Sequence, residues 1–289
     1  MSKDMNITPY ARVALQLAAM AIPHRIDVRI AREFLSPRRF AAGEFRGVEL
    51  PLPDERMRVP TGDGWVAAWR WGDGPAVLVV HGWEDDHHGF DPLIAQLVAR
   101  GQAVIAFDLP AHGESFGRST ALPAVANAIH DVAAALGPVR AVVGHSFGGA
   151  AATLSIAGGL EVERAVVIAA PVSVARMLDQ VTRRLGLSAA RREGIVHVLE
   201  QRVGVPLALV ELEPLAKQFN VPALVVHSRD DRVVPFLAGV RLQRAWPGAR
   251  LHAVDGLGHR RVLSDASVLA RISDFVAAPA ARAHLKASA

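Results

Sequence analysis

The sequence predicts an α/β fold: a mostly parallel central sheet with helices on both faces, preceded by an antiparallel hairpin. Three observations carry this. Short apolar runs such as Ala76–Val80 and Ala103–Phe107 lack polar alternation, as expected of strands buried on both faces. Segments with helical spacing, such as Leu122–Leu136, separate these runs, and that order builds parallel sheets. Residues 56–59 and 65–71 flank the turn Thr61-Gly62-Asp63-Gly64, the pattern of a β-hairpin.

Taken in order, residues 1–50 read as an N-terminal helical extension broken at Pro23 and Pro37, packing on the main body. Lys3 and Arg12 precede an apolar stretch, and Ala19-Met20-Ala21 has the form of a leader cleavage site. Asp4 and Gln16 break that pattern, and Val13, Leu17 and Met20 are spaced for an amphipathic helix instead. Residues 51–289 form the expected α/β domain. Further strands are predicted at 140–143, 164–169, 222–227 and 250–254, and helices at 92–100, 148–157, 237–246 and 268–277. Residues 171 to about 220 hold two helical stretches, 177–185 and 195–203. This is more than one connection needs, so the block is read as a crossover helix plus a short helical lid.

Composition narrows the function. The 289 residues are 51% hydrophobic and 21% charged, the balance of a globular chain with a sizeable core. The net charge is +4, and no basic block interleaved with aromatics is present, so nucleic-acid binding is not expected. The chain has no cysteine, which excludes disulfides, thiolate metal sites and a cysteine nucleophile and suits a cytoplasmic protein. No apolar run approaches the ~18 residues of an integral membrane span. Nothing in the sequence sets an oligomeric state.

The chemistry centres on Gly144-His145-Ser146-Phe147-Gly148. A β-branched run leads into it and an alanine-rich segment follows, so the serine sits on a tight strand-to-helix turn. Side chains at the two glycines would collide with the serine or with the neighbouring strand. A second Gly-x-Ser-x-Gly, around Ser115, follows a Gly- and Pro-rich loop and not a strand, so it reads as loop. Ser146 is the expected nucleophile. Its hydroxyl needs a base, and the base needs a carboxylate to fix its tautomer. The loop after the last strand, Gly258-His259, supplies the base; His252 lies within the strand, and His145 is expected to point away from the elbow. The turn after 222–227 holds Asp230 and Asp231, and Asp231 is favoured as the acid. Charge developing on the substrate oxygen calls for backbone N–H donors, expected from Phe147 and Trp83. The run Glu84-Asp85-Asp86-His87-His88 does not match a metal-ligand spacing, and the chemistry needs no metal or other cofactor.

Together these pieces resemble a serine hydrolase of the α/β-hydrolase superfamily. They are His81-Gly82-Trp83, Asp108 through Ser115, Gly144 through Gly149, Asp231 through Pro235, and Gly258-His259, and they stand in the family's order. The resemblance covers about residues 55–278. It implies an esterase-like enzyme with the triad Ser146, Asp231 and His259, acting on a small-molecule ester-type substrate through an acyl-enzyme. In the family's pattern the Asp108 loop shapes the pocket rim, and Ala111 stands where a glycine is common. Thioester, amide and C–C bond hydrolysis and perhydrolysis run on the same triad, and a non-catalytic ligand-binding protein is the reading from another class.

Overall fold

The computed structural model describes residues 9–39 and 50–278. Two N-terminal helices come first, α1 (Pro9–Ala21) and α2 (Pro23–Leu35). Pro23 opens α2 at its first position, where a missing N–H costs nothing. The helix ends before Pro37, which disfavours helical backbone at the residue preceding it.

The strands are β1 (Glu55–Thr61), β2 (Gly64–Trp71), β3 (Ala76–Val80), β4 (Ala103–Phe107), β5 (Val139–His145), β6 (Arg164–Ile168), β7 (Ala223–Ser228) and β8 (Arg250–Val254). The helices between and after them are α3 (Asp91–Ala99), α4 (Leu122–Leu136), α5 (Phe147–Ala157), α6 (Val174–Leu185), α7 (Ala189–Val203), α8 (Leu212–Ala216), α9 (Leu237–Ala245) and α10 (Ala266–Ala277). They build an eight-stranded sheet in the order β1-β2-β4-β3-β5-β6-β7-β8. The expected hairpin, β1 with β2, is antiparallel, as is β2 with β4, and the remaining pairs are parallel. This is the α/β-hydrolase architecture the motifs anticipate.

Period-two alternation sorts the strand side chains into two cores. From β3, Leu78 and Val80 join Ile129 of α4, Ala151 of α5 and Trp246 beside α9 on one face. Val77 and Val79 point the other way, to Leu93 and Leu97 of α3 and Ile272 of α10. Each fully buried Leu, Ile or Val of this kind contributes about 1.5–3 kcal/mol by leaving water. The chain moves from β3 outward to β4, then returns to the other side of β3 with β5. The strand order therefore reverses at β3, and ligands in such sheets bind beyond the carboxyl ends at that reversal.

The 171–220 block divides into the long pair α6–α7 and the five-residue α8, which packs on α5 and α9. α2 lies against α7: Ala31 is buried with Leu178, Ile195, Val198 and Leu199. Arg191 Nη1 also meets Asp27 Oδ2 at 2.9 Å.

Helix α5 is seated so closely on β3 that glycine is required at its start. A Cβ on Gly148 would lie 2.2 Å from the His81 carbonyl oxygen and 2.3 Å from that of Val80. Neither backbone atom can swing aside. Gly148→Ala is expected to destabilise the fold by about 1–3 kcal/mol, read as a fall of several degrees in thermal midpoint. An unchanged midpoint would contradict this packing.

Candidate active site

Ser146 stands between β5 and α5, where its backbone is forced into φ 53°, ψ −120°. Non-glycine residues adopt such angles at a cost of about 1–3 kcal/mol, so the surroundings must impose them. They do so on both sides. The Ser146 N–H donates to the Ile168 carbonyl at 2.8 Å, tying the turn to β6. At Gly144 a Cβ would sit 2.6 Å from Gly149 Cα and the Gly148 carbonyl oxygen. The turn thus presents the Ser146 side chain beyond the sheet edge, and α5 begins immediately behind it with its N-terminal dipole aimed at the same place.

The structure brings the residues expected as base and acid to this serine. His259 Nε2 lies 3.0 Å from Ser146 Oγ, and His259 Nδ1 lies 2.7 Å from Asp231 Oδ2. Asp231 Oδ1 accepts the N–H groups of Val233 at 2.8 Å and Val234 at 2.9 Å. Burial alone would push the Asp231 carboxyl up. Hydrogen bonding from His227 and His259 outweighs it and holds the group well below the usual carboxylate range. An ionised Asp231 has no proton to give, so the neutral His259 ring carries its proton on Nδ1, and Nε2 faces the serine hydroxyl as acceptor. Asp230 faces solvent, where its Oδ1 accepts from Ser228 Oγ at 2.5 Å. His252 stays within β8, away from this relay.

The loop after β3 closes the other side of the serine. His81 Nε2 accepts the Leu109 N–H at 2.9 Å, so its Nδ1 carries the proton and donates to the Gly82 carbonyl at 2.8 Å. A trans peptide points its C=O and N–H in opposite directions. Holding the Gly82 carbonyl toward His81 therefore turns the Trp83 N–H the other way. A Cβ on Gly82 would come within 3.2 Å of Ser146 Cβ, which shows how closely the loop approaches. The Trp83 and Phe147 rings meet edge-on, with centroids 5.1 Å apart, so the two expected N–H donors belong to touching residues.

The acidic and histidine run beyond Trp83 is spent on separate partners. His87 Nδ1 and N–H both bond Asp108 Oδ1, at 2.8 and 2.9 Å. His88 pairs with Asp91, and Asp86 caps the short 3-10 turn His87–Phe90 by accepting the His88 N–H. Among the described residues no group of three or more such side chains is placed to hold a metal ion. Asp108 also accepts the Glu114 N–H at 2.8 Å, so it fastens the rim loop. Ser115 lies buried in that loop, its Oγ donating to the Asp108 carbonyl and accepting the Ala67 N–H. Ala111, at the position where glycine is common in the family, has φ 68°. An alanine bears that conformation at a cost of about 1–2 kcal/mol.

Three features have no signature in the motifs. His145 does turn from the serine hydroxyl, yet its Nε2 meets the His259 carbonyl oxygen at 2.9 Å and braces the loop that carries His259. His227, buried on β7, sets its Nε2 3.0 Å from the Val234 carbonyl oxygen and 3.4 Å from Asp231 Oδ2. An apolar cavity runs from Trp83, Phe147 and Ala150 to α6, α7 and the segment after them. α2 also reaches this cavity. The strand-end position of His227 was readable from the sequence; the roles of the other two depend on tertiary packing alone.

The family model described as the alpha/beta hydrolase family matches residues 77–272. A pimeloyl-acyl-carrier-protein methyl ester esterase of Neisseria meningitidis is 28% identical over 243 residues, covering 69% of this chain and 76% of that protein. Among solved structures, an esterase of Pyrococcus furiosus superposes with a TM-score of 0.65 at 19% identity, covering 84% of this chain and 96% of the other. A meta-cleavage product hydrolase of Pseudomonas fluorescens superposes with a TM-score of 0.55 at 17% identity, covering 76% and 95%.

The buried histidines make stability depend on pH. Burial, and next the neighbouring His112, push His81 down to about 3; burial pushes His112 down to about 4. Burial and the nearby His259 push His145 well below its ordinary value. These rings stay neutral in the fold but take up protons when unfolded, from pH 6.5 downward. Their stabilisation is complete above that value and is lost as pH falls toward their folded values. Burial raises Asp85 to about 6, which opposes the trend between about pH 4 and 6. Burial also raises Asp27 and Asp86 and lowers His252. The histidines outweigh the carboxyls, so unfolding free energy is expected to fall from pH 7 to pH 4, each histidine contributing about 1.4 kcal/mol per pH unit at most. Urea unfolding at fixed pH values checks this, and stability that rises toward pH 4 contradicts it.

Proposed function

Given that this chain belongs to the alpha/beta hydrolase family and is a hydrolase, we propose that it cleaves a carboxylic ester with Ser146 as nucleophile, His259 as base and Asp231 as the residue that orients the base. The single observation that carries this reading is the continuous relay from Ser146 Oγ through His259 to Asp231, at 3.0 and 2.7 Å. Similarity to esterases from Neisseria meningitidis and Pyrococcus furiosus supports the ester as the scissile group.

The proposed steps use the groups this arrangement brings together. His259 Nε2 takes the hydroxyl proton as Ser146 Oγ attacks the ester carbonyl carbon. The carbonyl π electrons move onto oxygen, and the Trp83 and Phe147 N–H groups stabilise that negative charge. Asp231, kept ionised by its donors, stabilises the imidazolium without taking its proton. As the tetrahedral intermediate collapses, the carbon–oxygen bond to the alcohol breaks and His259 protonates the departing oxygen. A water molecule, deprotonated by the same nitrogen, then attacks the acyl-enzyme, and the carboxylic acid leaves with Ser146 restored.

Hydrolysis of p-nitrophenyl acetate tests this reading. Ser146→Ala, His259→Gln and Asp231→Asn are each expected to lower kcat/KM by about 10³–10⁴-fold or more. Ser115→Ala is expected to retain turnover. A Ser146→Ala variant as active as the parent refutes the assignment. Parallel thioester and amide substrates rank the scissile bonds.

A further inference from the structure

The N-terminal helices lie outside the motifs, yet they end at the site. Phe34 and Leu35, at the C-terminal end of α2, line the apolar cavity together with Trp83 and Phe147. The arm therefore shares one cavity wall with Phe147, which follows Ser146, and with Trp83. The cavity lining is almost wholly carbon, contributed by side chains such as Met177, Leu199 and Val203.

The segment just after α2 is fastened to the loops around the serine. The Leu35 carbonyl accepts the Thr120 N–H at 2.8 Å. Arg38 donates through its backbone N–H and Nε to Glu84 Oε1, at 3.3 and 3.2 Å. Glu84 directly follows Trp83 and has the left-handed angle φ 55°. Arg39 reaches four backbone carbonyls of the rim loop, those of Ala111, Gly113, Ser115 and Gly117. One guanidinium satisfying four carbonyls is a latch between two parts of the chain more than seventy residues apart. At the other end of α2, Asp27 is buried and paired with Arg191 of α7.

We infer that the N-terminal arm is a working part of the site: Phe34 and Leu35 select an apolar acyl chain, and Arg38 and Arg39 hold them in place. The inference rests on the proposed ester hydrolysis at Ser146. An apolar wall leaves a polar or charged acyl group without hydrogen-bond partners, whereas each methylene of an alkyl chain gains contact.

The test compares kcat/KM for p-nitrophenyl octanoate and p-nitrophenyl acetate in the full-length protein. Leu35→Trp, which fills the cavity, is expected to lower the octanoate-to-acetate ratio by about tenfold. Phe34→Ala, which enlarges it, is expected to move the optimum toward longer chains across a C2–C12 ester series. Arg39→Ala, which leaves the lining unchanged, is expected to lower the same ratio by about tenfold by freeing the arm. Circular dichroism and thermal melts establish that each variant is folded. Calorimetric binding of octanoate to Ser146→Ala and to Ser146→Ala/Leu35→Trp needs no turnover, and the second substitution is expected to weaken Kd about tenfold. Loss of ester turnover in the parent protein overturns the reading of Ser146 and leaves this binding test standing. Unchanged ratios in the folded variants, or equal octanoate Kd values, overturn the role of the arm.

Discussion

Every contact at the site depends on one backbone constraint, the turn that carries Ser146. Its φ of 53° and ψ of −120° are unfavourable for a serine. They persist because β3, β6 and the first turn of α5 leave no room for another path. Gly144 and Gly148 are the cost of that crowding: each lies where a Cβ would meet backbone atoms at 2.6 Å or less. Strain fixes where the hydroxyl is before any substrate binds, which is what the proposed roles of Ser146, His259 and the two N–H donors require.

Around the turn, burial and hydrogen bonding divide the histidines into two kinds. His81 and His145 are enclosed and kept neutral, and both act on backbone: one orients the Gly82–Trp83 peptide, the other meets the carbonyl oxygen of His259. His259 is half-buried and stands between a hydroxyl and a carboxylate. The buried rings serve as uncharged supports, and the fold loses stability when acid forces protons onto them. The same residues therefore account for the geometry of the proposed nucleophile and for the expected acid sensitivity of the fold.

Much of this was legible in the sequence, and the reasons are local. β3, β4, β8 and α4 fall at the residues where their apolar runs begin and end, because turn residues bound each one. Ser146, Asp231 and His259 were readable because each follows a strand, and parallel strands deliver their carboxyl ends to one edge. What distinguishes Asp231 from Asp230 is visible only in the fold, where Asp231 accepts the N–H groups of Val233 and Val234 and Asp230 bonds Ser228. The part played by α2 was not legible. Arg39 bonds backbone carbonyls, which any residue could offer, so no partner side chain marks the contact. Within 171–220, α6 and α7 were legible from their helical spacing, whereas the five-residue α8 is too short to show a period.

The most direct test of the central claim is the structure of the protein after reaction with a dialkyl phosphoryl inhibitor, whose tetrahedral adduct mimics the intermediate. The account predicts phosphorus on Ser146 Oγ, with one phosphoryl oxygen about 2.7–3.1 Å from the backbone nitrogens of both Trp83 and Phe147. An adduct on Ser115, or a phosphoryl oxygen on Ser146 turned away from both nitrogens, would contradict it.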